Sequence, residues 1–136
     1  MKALTLTQPW ATLMALRAKT IETRSWWTSY RGELVIHAAK GFPKWAREIC
    51  DEPEFAEALS GWDAGSLPLS MGLCIVRLVE CVPTQDVKPS TKELCFGDYT
   101  FGHYAWLTEY VMPLPPGEPV RGALGLWEYP SGLVRL

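Results

Sequence analysis

Apolar and polar positions alternate along the chain in a way that marks out six extended segments and two helical regions. Residues 3–7 (Ala-Leu-Thr-Leu-Thr) alternate as a short strand does. Trp10, Leu13, Met14 and Arg17 recur at helical spacing. They predict a short amphipathic helix over 8–17, with Thr7 as its cap and Pro9 in the first turn, where a missing N–H is tolerated. From Thr20 to Trp26 the period becomes two, and one face collects Thr20, Glu22, Arg24 and Trp26. That polar face points to solvent or to a ligand. Tyr30-Arg31-Gly32 reads as a turn, and residues 33–39 as a strand with two fairly apolar faces, hence a central one. Residues 43–60 read as helix in two pieces broken before Pro53, and 61–70 as loop. Residues 71–82 form the longest strand, ended by Pro83, and 84–102 read as mostly irregular. Two more strands, 104–112 and 123–129, flank a proline-rich connector at 113–119.

Six strands with two or three helices, no repeat and no regular α/β alternation predict a mixed α+β fold, a small barrel flanked by helices. A length of 136 residues fits one domain spanning 1–136. Hydrophobic residues at 48% and charged residues at 21% exclude disordered and fibrous classes. No Cys-x-x-Cys pair joins Cys50, Cys74, Cys81 and Cys95, so no metal site and no cofactor are expected. Cys74 and Cys81 fall in an apolar strand and are expected to pack as small hydrophobes. The N-terminus is a poor signal peptide, and no run approaches the ~20 apolar residues of a membrane span. A cytoplasmic location is the resulting expectation.

The net charge of -2 conceals an asymmetry. Residues 1–47 hold eight basic residues against Glu22 and Glu33, a balance of +6; residues 48–136 hold five basic and thirteen acidic residues, a balance of -8. Arg24, Trp26, Trp27, Tyr30 and Arg31 interleave planar cations with aromatic faces. That combination suits phosphates and unpaired bases. The start of the 8–17 helix adds a candidate anion site. Trp26 and Trp27 face opposite ways on a strand, so one belongs to the core, and Trp26 on the polar face is the expected contact. Lys19, Glu22 and Arg24 form a charged triplet. It reads either as a structural ion pair or, if desolvated, as a base and nucleophile pair. His37 on its apolar strand reads as a hydrogen-bonded structural residue.

The runs Leu4-Thr-Leu-Thr-Gln8-Pro9-Trp10-Ala11, Lys19-Thr-Ile-Glu22-Thr-Arg24-Ser25-Trp26, Tyr30-Arg31-Gly32 and His37-Ala38-Ala39-Lys40 together resemble the ASCH domain, as do Gly102-His103-Tyr104-Ala105-Trp106 and Gly122-Ala-Leu-Gly125-Leu126-Trp127. The resemblance implies a PUA-like β-barrel. It also implies a cleft lined by the Lys-x-x-Glu-x-Arg segment, and binding of RNA or DNA that is single-stranded or locally unpaired. The candidate contacts are Gln8, Trp10, Lys19, Arg24, Ser25, Trp26, Tyr30, Arg31 and Lys40. Many members carry glycine where this chain has Arg17. A related branch contains amidohydrolases acting on N4-acetylcytidine. Lys19 matches their lysine, but Glu22 stands where their threonine would be, with Glu80 as a possible distant carboxylate. Other members are linked to ribonuclease activity. An enzyme of either kind would work through Lys19 and Glu22. A protein-interaction domain anchored by exposed tryptophans is the third reading.

Overall fold

The computed structural model describes residues 1–130 and residue 132. Its strands are β1 (Lys2–Leu6), β2 (Ile21–Arg24), β3 (Gly32–Ala38), β4 (Gly72–Pro83), β5 (Tyr104–Pro113) and β6 (Leu126–Glu128). Its helices are α1 (Trp10–Ala15), α2 (Lys44–Ile49), α3 (Pro53–Ala58) and α4 (Thr91–Phe96). The six strands form one sheet in the order β2-β5-β4-β3-β1-β6. β1 and β3 run parallel and every other pair is antiparallel.

Three register shifts bend this sheet, two between β4 and β5 and one between β3 and β4 at Ile36/His37. Each leaves an extra residue on one strand and increases the local twist. The sheet therefore curls into a half-barrel. Edge strand β2 thereby comes round toward β1, the neighbour of the opposite edge strand, and Arg24 donates from Nη2 to the Thr5 carbonyl at 2.9 Å.

β3 is buried on both faces, as its two apolar faces predict. On one side Leu34 and Ile36 join Leu4, Leu6, Met14, Val76, Leu78 and Trp106; on the other Val35 packs with Ala3, Ile75 and Val120. The helices form a third cluster around Leu13, Phe55, Leu59 and Phe96. Cys74 and Cys81 are buried in the first cluster. No helix of the described residues is long and apolar enough to cross a membrane.

Three elements differ from the sequence reading. The first helix is shorter than 8–17 and has no side-chain cap from Thr7. Gln8 serves its first turn instead: Oε1 accepts from the Thr12 N–H at 2.9 Å, and Nε2 donates to Thr12 Oγ1 and the Pro68 carbonyl. Since Gln8 and Pro9 are buried, that helix start is not an open anion site. The helix ends where Arg17 adopts φ 60°, the left-handed region that glycine enters freely. Arginine is held there by donating to Thr108 Oγ1 and the Thr108 carbonyl.

The second difference is α4, inside the stretch read as irregular. Ser90 caps it by accepting from the Glu93 N–H at 3.1 Å. The spacing Ser90-x-x-Glu93 is a helix-start signature, so the signal was present in the sequence. The third is the last strand, which begins at Leu126 rather than 123. Gly125 turns the chain with φ 68°, and Ala123 and Leu124 stand exposed before it.

Candidate nucleic-acid interface

The curl of the sheet opens a cleft of about 1380 Å³ at the C-terminal end of β3. Thr5 and His37 form part of its floor, Trp26 one wall, and the 119–125 segment another. Arg24, Lys40 and Arg121 line it, and no aspartate or glutamate does among the described residues. Arg24 is paired with Glu22 behind the lining, but Lys40 and Arg121 face no carboxylate among the described residues, so anions are favoured here.

A chain of hydrogen bonds holds the far wall. The Trp127 Nε1–H donates to Thr5 Oγ1 at 3.0 Å. The Thr5 hydroxyl is then free to donate to His37 Nδ1, also 3.0 Å away. His37 Nε2 lies 2.8 Å from the Val120 carbonyl, which can only accept, so Nε2 carries the proton. The wall comes so close to this network that a Cβ on Gly122 would lie 2.6 Å from Thr5 Oγ1 and 3.0 Å from His37 Cε1. Glycine at 122 is what permits the approach.

Burial pushes the His37 imidazole below its usual value, against the hydrogen bond to Val120, which favours the protonated form. The native state therefore holds neutral His37 while the unfolded chain takes up a proton near pH 6.5. Stability falls as pH drops below that value, toward the lowered native value, because the unfolded state then binds the extra proton. Denaturant melts from pH 7.5 to about 5.5 should show this loss, and His37→Gln, which cannot titrate, should flatten it. An identical fall in both proteins would contradict this assignment.

A second, smaller compartment of about 530 Å³ adjoins the first and shares Thr7 and Arg24 with it. Trp10, Trp45, Phe55 and Phe96 supply its apolar lining, with Glu22 and Asp98 as its acidic members. Trp10 packs against Trp45 with ring centroids 5.8 Å apart and edge-on against Phe55 at 5.9 Å.

Lys19 lies behind the second compartment, fully buried. Its ammonium donates to the Ile21 carbonyl at 2.6 Å and the Phe96 carbonyl at 3.0 Å, and lies 3.3 Å from Glu22 Oε1. Glu22 Oε2 is in turn 3.5 Å from Arg24 Nε. The Lys-x-x-Glu-x-Arg spacing thus produces a chain of charges that leads from the core to the cleft. Glu93 of α4, another buried carboxylate, secures the same segment by accepting from the Thr20 N–H and hydroxyl.

The candidate contacts therefore divide. Arg24, Trp26 and Lys40 meet in the large cleft, and Trp10 and Glu22 face the small one. Trp26 also packs edge-on against buried Trp106 at 4.8 Å, while Trp27, the expected core member, is exposed and donates to the Cys81 carbonyl, because β2 ends at Arg24 and strand alternation does not reach the pair. Gln8 and Lys19 are enclosed, and Ser25 is exposed but lines neither compartment. Tyr30 and Arg31 sit before the start of β3, about 20 Å of strand from the cleft. There Tyr30 donates to the Glu33 carbonyl, and Arg31 pairs with exposed Glu80 at 2.8 Å. Arg121 and Trp45 were not among the candidates. Arg121 lies in the acidic part of the chain, and Trp45 has the spacing of a core helix residue.

A curled six-stranded sheet with a cationic, tryptophan-walled cleft on its open side places this chain among small PUA-like barrels. The ASCH domain family model matches residues 4–115, and the chain belongs to that family. Over 131 residues it is 24% identical to Activating signal cointegrator 1 of Homo sapiens and, equally, to that of Mus musculus. The match covers 94% of this chain and 22% of each relative, so the chain spans about a fifth of the curated relatives' length.

Proposed function

We propose that this chain binds single-stranded or locally unpaired RNA or DNA in the Arg24 cleft. The observation that carries the reading is the cleft's charge: three cations and no carboxylate, in a chain whose net charge is -2. Arg24, Lys40 and Arg121 are spaced around one cavity and are suited to successive phosphates. Trp26 offers an indole face to a base, a contact worth roughly 1–3 kcal/mol. Membership of the ASCH family supports the same reading.

The structure offers the hydrolase reading no comparable support. Lys19 is fully buried and all three of its ammonium protons have acceptors within 3.3 Å, so it has no access to a substrate. Both His37 nitrogens are occupied internally. The test is a labelled single strand of about ten nucleotides titrated at low salt. Saturable binding that unlabelled strand competes away is expected. No binding under those conditions would sink the proposal.

A further inference from the structure

The two compartments on either side of Arg24 carry opposite chemistry. We infer that they divide one nucleotide between them, with its phosphate in the large compartment and its base in the small one, and that bases with an exocyclic amino group are preferred. This inference rests on the nucleic-acid reading above.

The large compartment holds all three cations and no acid; the small one holds Glu22, Asp98 and the aromatic rings, and its single cation is the shared Arg24. A phosphate entering the small compartment would face two carboxylates at short range, so the backbone is kept on the other side. A flat, uncharged base meets no such barrier. A volume of about 530 Å³ lies within the range of small-ligand pockets, roughly 300–1,000 Å³. Trp45 is 61% exposed although one part of its ring packs on Trp10, so it has surface free for stacking.

The preference follows from the acceptors. Each Glu22 oxygen has one cationic neighbour, at 3.3 and 3.5 Å, while a carboxylate offers about four lone-pair positions. An amino group on adenine, cytosine or guanine can donate to a remaining one. The carbonyl edge of uracil or thymine would instead set oxygen against oxygen. At the junction Arg24 Nε is buried against Glu22 Oε2 at 3.5 Å while Nη2 donates to the Thr5 carbonyl, so this side chain holds the carboxylate at the border of the two compartments.

The experiment is a titration of short oligo-adenylate, oligo-cytidylate and oligo-uridylate strands against wild type and Trp45→Ala, read by anisotropy at several salt concentrations. Adenylate and cytidylate strands should bind wild type about tenfold or more tightly than uridylate, the worth of one hydrogen bond to a charged group. Trp45→Ala removes a largely exposed ring that touches Trp10 on one side, so the protein should stay folded with a melting temperature within a few degrees of wild type. Its affinity for every strand should fall about tenfold with the salt dependence unchanged, because no phosphate contact is lost. Strands that bind with no base preference, or with full affinity for Trp45→Ala, would overturn the inference and leave the nucleic-acid reading standing. Failure of every strand to bind wild type at low salt would remove both.

Discussion

Replacing Lys19 with methionine should cost about 3–5 kcal/mol of stability, the penalty for breaking a buried ion pair from one side. Lys19 is 0% exposed and Glu22 8%. The substitution keeps the length of the side chain but strips a donor from the Ile21 and Phe96 carbonyls and leaves the Glu22 carboxylate with only Arg24 nearby. Against a total stability of about 5–15 kcal/mol the loss is large, and the melting temperature should fall by roughly 10 °C or more. The double variant Lys19→Met/Glu22→Gln should recover part of it, because the stranded charge is then gone. Denaturant melts of the three proteins decide the matter. A Lys19→Met protein within about 1 kcal/mol of wild type would mean that the lysine does not hold the β2 segment in place.

Reversing two of the three cleft cations should abolish binding while leaving the fold intact. Lys40 and Arg121 are exposed, and among the described residues neither side chain makes a hydrogen bond or a salt bridge. Their replacement should therefore move stability by no more than about 0.5 kcal/mol. In Lys40→Glu/Arg121→Glu two phosphate contacts become two repulsions, and affinity for a single strand at about 50 mM salt should fall at least roughly a hundredfold. Lys88→Glu/Lys92→Glu changes the net charge by the same amount at exposed positions that line neither compartment. That control should lose only a few-fold, since distant surface charges are screened. Equal losses in the two double variants would show that overall charge, and not this cleft, governs binding.

Much of the architecture was legible in the sequence because it rests on periodicity. The two apolar faces of 33–39 announced a central strand and the apolar run 71–82 the longest one, and the sheet order places β3 and β4 side by side at its centre. The six-residue helix α4 escaped because so short a segment shows no helical period, and only its Ser90–Glu93 cap betrays it. The site was legible in part. Arg24, Trp26 and Lys40 stand on the polar side of recognisable segments. The charge split was a less direct guide. Of the eight basic residues in 1–47, Lys19 is buried, and Lys2, Arg31 and Lys44 are paired with Glu128, Glu80 and Glu48. The cleft instead borrows Arg121 from the acidic remainder. That juxtaposition depends on how far the sheet curls and on Gly122 meeting Thr5 and His37, contacts between residues more than 80 positions apart. No local pattern encodes them.

The salt dependence of single-strand binding tests the central claim most directly, because it counts the phosphates that the cleft neutralises. With three cations at work, a plot of log affinity against log salt concentration should have a slope of about -2 for wild type, and about -1.4 for Arg121→Gln, which keeps two. A slope near zero, or one that Arg121→Gln leaves unchanged, would contradict phosphate binding in the Arg24 cleft.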